Sequence, residues 1–436
     1  FNSICKIFIK RITMKVNIPE SKKKRVVIIG GGFGGLKLAE KISSKYYQVV
    51  LIDKNNYHQF QPLFYQVATA GLEPSSIVFP FRKIFHDQKD FYFRLGEVLK
   101  VNEENNSLET TVGLIEFDYL VIASGADTNF YGNKNIEKYS YPMKSIQEAL
   151  LLRNTLFQHF EDAINTSNVK EREKLLSIVV VGGGPTGVEV AGTLAEMKSH
   201  ILPKDYPDMD FSKMKIILLE GAPRVLNAME DESCIKAEKY LKELGVEVKT
   251  NVRVLDYDGD EVLIEGESSI LTKTLIWSAG ITGNLLEGLK DSVYRQGGRL
   301  AVDAYNLVES TNNNIYAIGD VAAMVLEDYP RGHPQMAQPA IQQGLNLANN
   351  LNRIQEGKGL NKFSYKNLGS MATIGRNKAV VELPGYKFQG FFAWVVWLVV
   401  HLKSILGVKN KFVVLINWIW NYITYNLSLR LIIKPS

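Results

Sequence analysis

The apolar positions of the chain form short, unbroken β-branched runs, each leading into a glycine cluster and then into an apolar repeat of helical period. Residues 25–29 read RVVII, too apolar for a strand with a solvent face. They pass through Gly30, Gly31, Gly32, Phe33, Gly34 and Gly35 into LKLAEKI, which predicts strand, tight turn and helix. A second buried strand, QVVLID, ends at Asp53, 23 residues after Gly30. The series then returns. SIVVV at 177–181 enters Gly182, Gly183, Gly184, Pro185, Thr186 and Gly187, a helix VEVAGTLAEM follows, and a strand KIILLE ends at Glu220, 38 residues after Gly182. The additional 15 residues include Pro203 and Pro207 and predict a longer helix and a loop, leaving the strand register intact. Both series close on a strand with a small-residue end, YLVIASGA at 119–126 and TLIWSAGI at 274–281. Gly30 to Gly125 spans 95 positions and Gly182 to Gly280 spans 98, which implies a duplication at domain scale and two dinucleotide sites.

Each part of the repeat has a chemical reason. Glycine at 30 permits a tight turn, at 32 it lets the backbone approach a pyrophosphate, and at 35 it lets helix and strand pack closely. Gly182, Gly184 and Gly187 repeat those roles, and each helix N-terminus then faces the anion. Asp53 and Glu220 end their strands where a carboxylate accepts hydrogen bonds from a ribose diol. Glu220 would repel a 2′-phosphate, so NADH is expected over NADPH, with Arg224 the nearest cation that could blunt the preference. A third element, NNNIYAIGDVA at 312–322, predicts a short strand ending at Gly319 and Asp320 and entering a helix. Asp320 there is either an ordinary N-cap or a contact to a sugar or ribityl hydroxyl. Glu189, two residues past Gly187, is expected in the first turn of the second nucleotide helix, where a carboxylate complements the helix dipole. Gln338 and Gln342 are spaced i,i+4 on one face of a helix expected to begin near Pro339.

Composition narrows the class. With 46% hydrophobic, 22% charged and 10% aromatic residues in 436, the chain is globular and long enough for two or three domains. Cys5 and Cys234 lie 229 positions apart, which excludes a CxxC redox pair and a structural zinc cluster, and the six histidines are dispersed. No metal is expected. The net charge of +5 is a C-terminal property: Lys387, Lys403, Lys409, Lys411, Arg430 and Lys434 lie in a final fifty residues without one acid. A nucleic-acid-binding body is therefore not expected. The same segment carries FFAWVVWLVVHL at 391–402 and FVVLINWIW at 412–420, with Trp394, Trp397, Trp418 and Trp420. Tryptophan with interleaved lysine such as Lys403 is the composition of helices lying in a lipid headgroup plane. At the other end, residues 1–24 are expected as an extension outside the fold, with Met14 an alternative start.

Over roughly residues 25–350 the chain resembles the two-dinucleotide-binding-domain flavoproteins. NNYHQFQPLFYQVATAGLEPSSI at 55–77 and MAQPAIQQGLNLANNL at 336–351 are similar to signature segments of type II NADH:quinone oxidoreductases, single-subunit respiratory dehydrogenases that pump no protons. No EF-hand loop is present, so a calcium-regulated member is not expected. The resemblance implies an α/β fold of two Rossmann-like dinucleotide-binding domains, the NADH domain inserted in the FAD domain, plus C-terminal amphipathic membrane-anchoring helices. The implied division is an FAD-binding domain at 25–135 and 284–350, an NADH-binding domain at 136–283 and a membrane-anchoring domain at 351–436. It implies FAD contacts at Gly30, Gly32, Phe33, Gly34, Gly35, Asp53, Lys54, Val98, Ala123, Gly125, Gly319, Asp320, Ala337 and Gln338. NADH contacts are implied at Gly182, Gly184, Pro185, Thr186, Gly187, Glu189, Glu220, Ala279 and Gly280. Glu189 is implied to position the nicotinamide and handle protons, and Gln338 and Gln342 to meet the quinone headgroup. A homodimer on the cytoplasmic face of the plasma membrane, or on a mitochondrial inner-membrane face, completes the expectation. The rival readings are a sulfide:quinone or other pyridine-nucleotide-linked flavin reductase, and an NADH-sensing flavoprotein scaffold.

Overall fold

The computed structural model describes residues 14–425 and 429–433. The chain forms two compact units, the first made of residues up to His58, 79–127 and 281–367, the second of residues 59–78, 128–280 and 368 onward.

The first unit is built on a five-stranded parallel sheet in the order Ile315–Ala317, Tyr119–Ile122, Lys24–Ile29, Tyr47–Asp53, Phe91–Leu95. Val26, Val27 and Ile28 are fully buried, as a central strand covered on both faces requires. Two helices, Phe33–Lys41 and Ala337–Gln355, pack at glycines: a Cβ on Gly344 would strike the carbonyl of Gly34. An antiparallel sheet of Val98–Asn102, Ser107–Thr110 and Gly113–Glu116 closes one side of the core.

The second unit repeats the plan. Its sheet runs Tyr141–Pro142, Thr274–Trp277, Ser177–Val181, Lys215–Glu220, Glu247–Thr250, again all parallel. The 185–220 segment resolves into a helix Pro185–His200, one turn Leu202–Asp205, a loop and the strand, so the extra residues leave the register unchanged. Residues 368 onward add a three-stranded antiparallel sheet, Ser370–Gly375, Lys378–Leu383 and Tyr386–Gln389, followed by helices Phe391–Ser404 and Val408–Thr424. Gly192 makes this attachment possible, because a Cβ there would overlap the backbone carbonyl of Ile374. The helix Pro185–His200 therefore lies directly on the strand Ser370–Gly375.

Residues 368 onward and 59–78 fall in the same compact unit as 128–280, while the C-terminal sheet and its first helix hold a small apolar cluster of their own at Ala379, Val381 and Ala393. Two expectations need correction. The N-terminal extension is not wholly outside the fold. Val16 N–H donates to Leu114 O and Leu114 N–H to Met14 O, and Ile18 is buried in the first unit's core; residues 1–13, including Cys5, lie outside the described residues. Gly319 and Asp320 enter not a helix but a single 3₁₀ turn, Gly319–Val321, because Ala322 and Ala323 pair as a strand with Leu300 and Ala301.

Candidate functional site

Each unit carries one glycine cradle, and the two are built alike. In the first unit Gly30 sits at φ +94 and donates its N–H to Ile52 O at 2.8 Å. A Cβ there would enter the carbonyl of Ala123, and one on Gly35 would enter the carbonyl of Gly30, so only glycine fits. A Cβ on Gly32 would meet nothing within 4 Å. The space before the helix Phe33–Lys41 is open, and its N-terminus has no capping side chain and no acid in the first turn. Asp53 accepts Gly31 N–H and Asn55 N–H, both at 2.7 Å, and burial pushes its carboxyl above the usual value. Phe33 stands edge-on to His58, Val98 opens its strand half-buried, Ala123 is buried and Gly125 takes φ +71, whereas Lys54 is exposed. Gly319 donates its N–H to Gln343 Oε1 at 2.7 Å, which ties the Gly-Asp turn to the helix whose first residues are Ala337 and Gln338.

In the second unit Gly182 has φ +105 and donates to Leu219 O at 2.8 Å, and a Cβ on Gly187 would enter the carbonyl of Gly182. Gly184 again faces open space. Pro185 occupies the first helical turn, where its missing N–H costs nothing, and this N-terminus too is uncapped and free of acid. Thr186 beside it is exposed. Glu220 accepts Gly183 N–H and Ala222 N–H, the counterpart of Asp53. Arg224 is ion-paired with Asp231, so its charge is already engaged. Ala279 O accepts the Tyr131 hydroxyl at 2.8 Å, and Gly280 follows at φ +136. Glycine turn, open helix end and strand-end carboxylate fit a dinucleotide diphosphate and ribose in both units.

Glu189 departs from its expected place. It is the fifth residue of Pro185–His200, beyond the first turn, and turns inward rather than toward the helix end. Thr373 N–H approaches its Oε1 at 3.5 Å, and the Trp397 indole N–H acts on the carboxyl without closing a full hydrogen bond. With so little to compensate for lost water, burial raises its pKa to about 8. Two turns on, Glu196 is half-buried, desolvation raises its carboxyl above the usual value, and its Oε1 accepts Arg376 N–H at 2.5 Å.

The glutamine pair divides. The helix begins at Ala337 rather than Pro339, placing Gln338 in its first turn. Gln342 uses both ends of its amide on Lys366, donating to its carbonyl and accepting its N–H, each at 2.9 Å. These two bonds pin the following loop, and the amide has a second N–H beyond the one given to Lys366. Sequence reasoning passed over Gln343. The signal was present, since Ala340, Gln343, Gly344, Leu347, Asn350 and Leu351 lie on the buried face of this helix, and Gln343 and Asn350 are the polar side chains on it.

The tryptophans expected at the membrane are mostly turned away from solvent. Trp397 is 1% exposed and stacks on His401, Trp394 stacks on Tyr422, and Trp418 donates its indole N–H to Gln66 Oε1 at 2.8 Å. Trp420 and Lys403 remain exposed. The outward positions are apolar instead, with Val408, Phe412, Ile416, Ile419 and Ile423 exposed along one helical stripe.

Comparison with known proteins agrees with this architecture. Residues 24–344 match the pyridine nucleotide-disulphide oxidoreductase family and residues 367–424 match the NDH2 C-terminal domain. Two type II NADH:quinone oxidoreductases of Mycobacterium tuberculosis, Ndh and NdhA, are 33% and 35% identical, covering 91% of this chain and 88% and 86% of theirs. The solved structure of Plasmodium falciparum NDH2 in complex with NADH superposes with a TM-score of 0.86 at 25% identity, covering 95% of this chain and 100% of that one. A sulfide:quinone oxidoreductase of Aquifex aeolicus shares the fold at a TM-score of 0.70 and 19% identity, covering 89% of this chain and 92% of that one. On two glycine cradles of one design, a C-terminal segment of matching type and these identities over most of its length, the chain belongs to the type II NADH:quinone oxidoreductase family.

Proposed function

We propose that the protein oxidises NADH through FAD and reduces a membrane quinone, ubiquinone or menaquinone, by two electrons without pumping protons. The observation that carries this reading is the pair of equivalent cradles, one per unit, each with an open glycine, a bare helix N-terminus and a strand-end acid. FAD, when bound, supplies the redox chemistry, taking hydride from the nicotinamide and yielding two electrons to the acceptor. The chain's own residues bind, orient and manage protons. Gly30, Gly32, Gly35 and Asp53 hold the flavin dinucleotide, with Asp320 and the first turn of Ala337–Gln355 completing that cradle. Gly182, Gly184, Gly187 and Glu220 hold NADH, and the Glu220 carboxylate disfavours a 2′-phosphate. Glu189, its pKa raised to about 8, holds its proton at neutral pH and so offers a hydrogen-bond donor from a buried position.

The rival sulfide chemistry needs reactive thiols. Cys234 is buried beneath the carbonyls of Leu226 and Met229, and burial raises its thiol pKa. That environment favours an inert side chain.

The second C-terminal helix rests on the membrane surface in this reading. Seventeen residues reach about 25 Å at about 1.5 Å each, short of an about 30 Å hydrocarbon core, and no described helix is long and apolar enough to span. Its exposed stripe with Lys409 and Lys411 suits an anionic leaflet, cytoplasmic or mitochondrial, and two copies paired as a homodimer would double the contact. The decisive experiment is an anaerobic absorbance titration of the flavin-loaded protein with NADH and then a short-chain quinone. Bleaching by NADH and prompt recovery with quinone is the expected result; bleaching without recovery would remove the acceptor assignment.

A further inference from the structure

A cavity of about 140 Å³ in the second unit is walled by Tyr65, Thr193, Glu196, Thr373, Trp397 and Trp418 among others. Tyr65 stands in that wall, 4% exposed, in a helix Phe64–Ala68. Its hydroxyl accepts a hydrogen bond from Gln66 Nε2 at 2.8 Å, and Gln66 Oε1 accepts the Trp418 indole N–H at 2.8 Å. This chain has one allowed direction. An indole N–H can only donate, so the amide must turn its oxygen to Trp418 and its NH₂ to Tyr65. The phenol oxygen is therefore an acceptor, and its own proton is left over. No described residue accepts that proton. A buried hydroxyl with an unused donor, at the edge of an aromatic cavity, is poised for an acceptor brought by a ligand.

We propose that Tyr65 is the acid that delivers a proton to one carbonyl oxygen of the quinone, with Gln66 and Trp418 setting the direction of its hydroxyl. The inference rests on the quinone-reducing reading. Reduction of a quinone to the quinol takes two electrons and two protons. NADH supplies both electrons with one proton as hydride, so a further proton is drawn from water. In the proposed step the Tyr65 O–H bond breaks as the quinone O–H bond forms, and the phenol recovers its proton from the carboxyl of Glu196, which water reprotonates. Glu196 lines the same cavity, faces Arg376 and Lys378, and holds its proton to higher pH than an exposed glutamate because desolvation disfavours its charge. Glu189 and Glu196 both act electrostatically on Tyr65, and burial keeps its phenol neutral. Such a group gives up a proton only in concert with the oxygen that takes it. Trp418 is a positioning residue here, because its influence reaches the substrate through Gln66.

The test uses the full-length, flavin-loaded enzyme and two acceptors, a short-chain quinone and ferricyanide, which takes single electrons without a proton. Tyr65→Phe removes one oxygen and leaves the ring beside Trp397, 6.4 Å between centroids. Flavin bleaching by NADH and reoxidation by ferricyanide should keep wild-type rates, while reoxidation by quinone should fall roughly 10²-fold, the low end for a general acid. Trp418→Phe keeps an aromatic ring but frees the amide to turn over, and should lower the quinone rate in kcat rather than KM by a smaller factor, again sparing ferricyanide. Unchanged quinone reoxidation in Tyr65→Phe, or equal slowing with both acceptors, overturns the proposal. A wild-type enzyme that reduces ferricyanide but never quinone would instead overturn the quinone reading, and this assignment with it.

Discussion

Replacing Glu189 with glutamine should change the pH dependence of stability far more than stability at low pH. The unfolded carboxyl ionises near 4.5 and the folded one at about 8. Below 4.5 both states hold the proton and the folded state loses nothing. Between 4.5 and 8 the unfolded chain sheds its proton while the folded chain does not, so stability falls as pH rises, and the loss is complete above 8. One pKa unit is worth about 1.36 kcal/mol, so the shift amounts to roughly 5 kcal/mol, an upper bound because water entry and local relaxation solvate a buried carboxylate. Glutamine has the shape of the neutral acid and never ionises. The variant and the wild type should therefore melt together near pH 5 and separate by several degrees near pH 9, the variant higher. Apparent melting temperatures of the flavin-loaded proteins, followed by circular dichroism and by flavin release across pH 5 to 9, would show it. Two parallel curves with a constant offset would refute the reasoning, since the carboxyl would then titrate alike in both states.

Other consequences follow from named contacts. Glu220→Ala should release two backbone N–H groups and lift the charge barrier, raising NADPH-dependent turnover relative to NADH by at least tenfold in kcat/KM. Gly192→Ala should force the strand Ser370–Gly375 off its helix at a cost of about 1–3 kcal/mol, measured by denaturant unfolding, and should impair quinone reduction through displacement of Thr373. Gln342→Ala should behave as the loss of two hydrogen bonds to Lys366, about 1–3 kcal/mol in stability, whereas Gln338→Ala should slow the quinone step with little change in melting. Phe412→Glu combined with Ile416→Glu should abolish co-flotation with anionic vesicles while leaving ferricyanide reduction intact, because both side chains are exposed.

Much of the fold was legible because buried parallel strands and glycine turns are local. RVVII and SIVVV had to be central strands, since their apolar side chains alternate to both faces and need cover on each. The glycines of both turns were legible for a similar reason: positive φ at Gly30 and Gly182 and the overlaps at Gly35 and Gly187 exclude any Cβ. The depth of Glu189 was not. Its sequence neighbours are an ordinary helix; burial raises its proton affinity, and the groups that face it and partly offset that rise, Thr373 and Trp397, lie more than 180 positions away in the chain.

The aromatic tail shows the same division. Composition alone marked it as basic, acid-free and tryptophan-rich, but could not say which aromatics point inward. The tertiary structure buried Trp397, bonded Trp418 to Gln66 and left Phe412, Ile416 and Ile423 facing out. By itself the sequence determined two dinucleotide cradles, their glycine turns and their acids, because these depend on residues close in the chain and on the absence of a side chain. Only the tertiary structure decided the proton affinity of Glu189, the orientation of the Gln66 amide and the outward face of the last helix. Desolvation and hydrogen-bond direction are set by whichever distant segments pack together, and no local pattern encodes them.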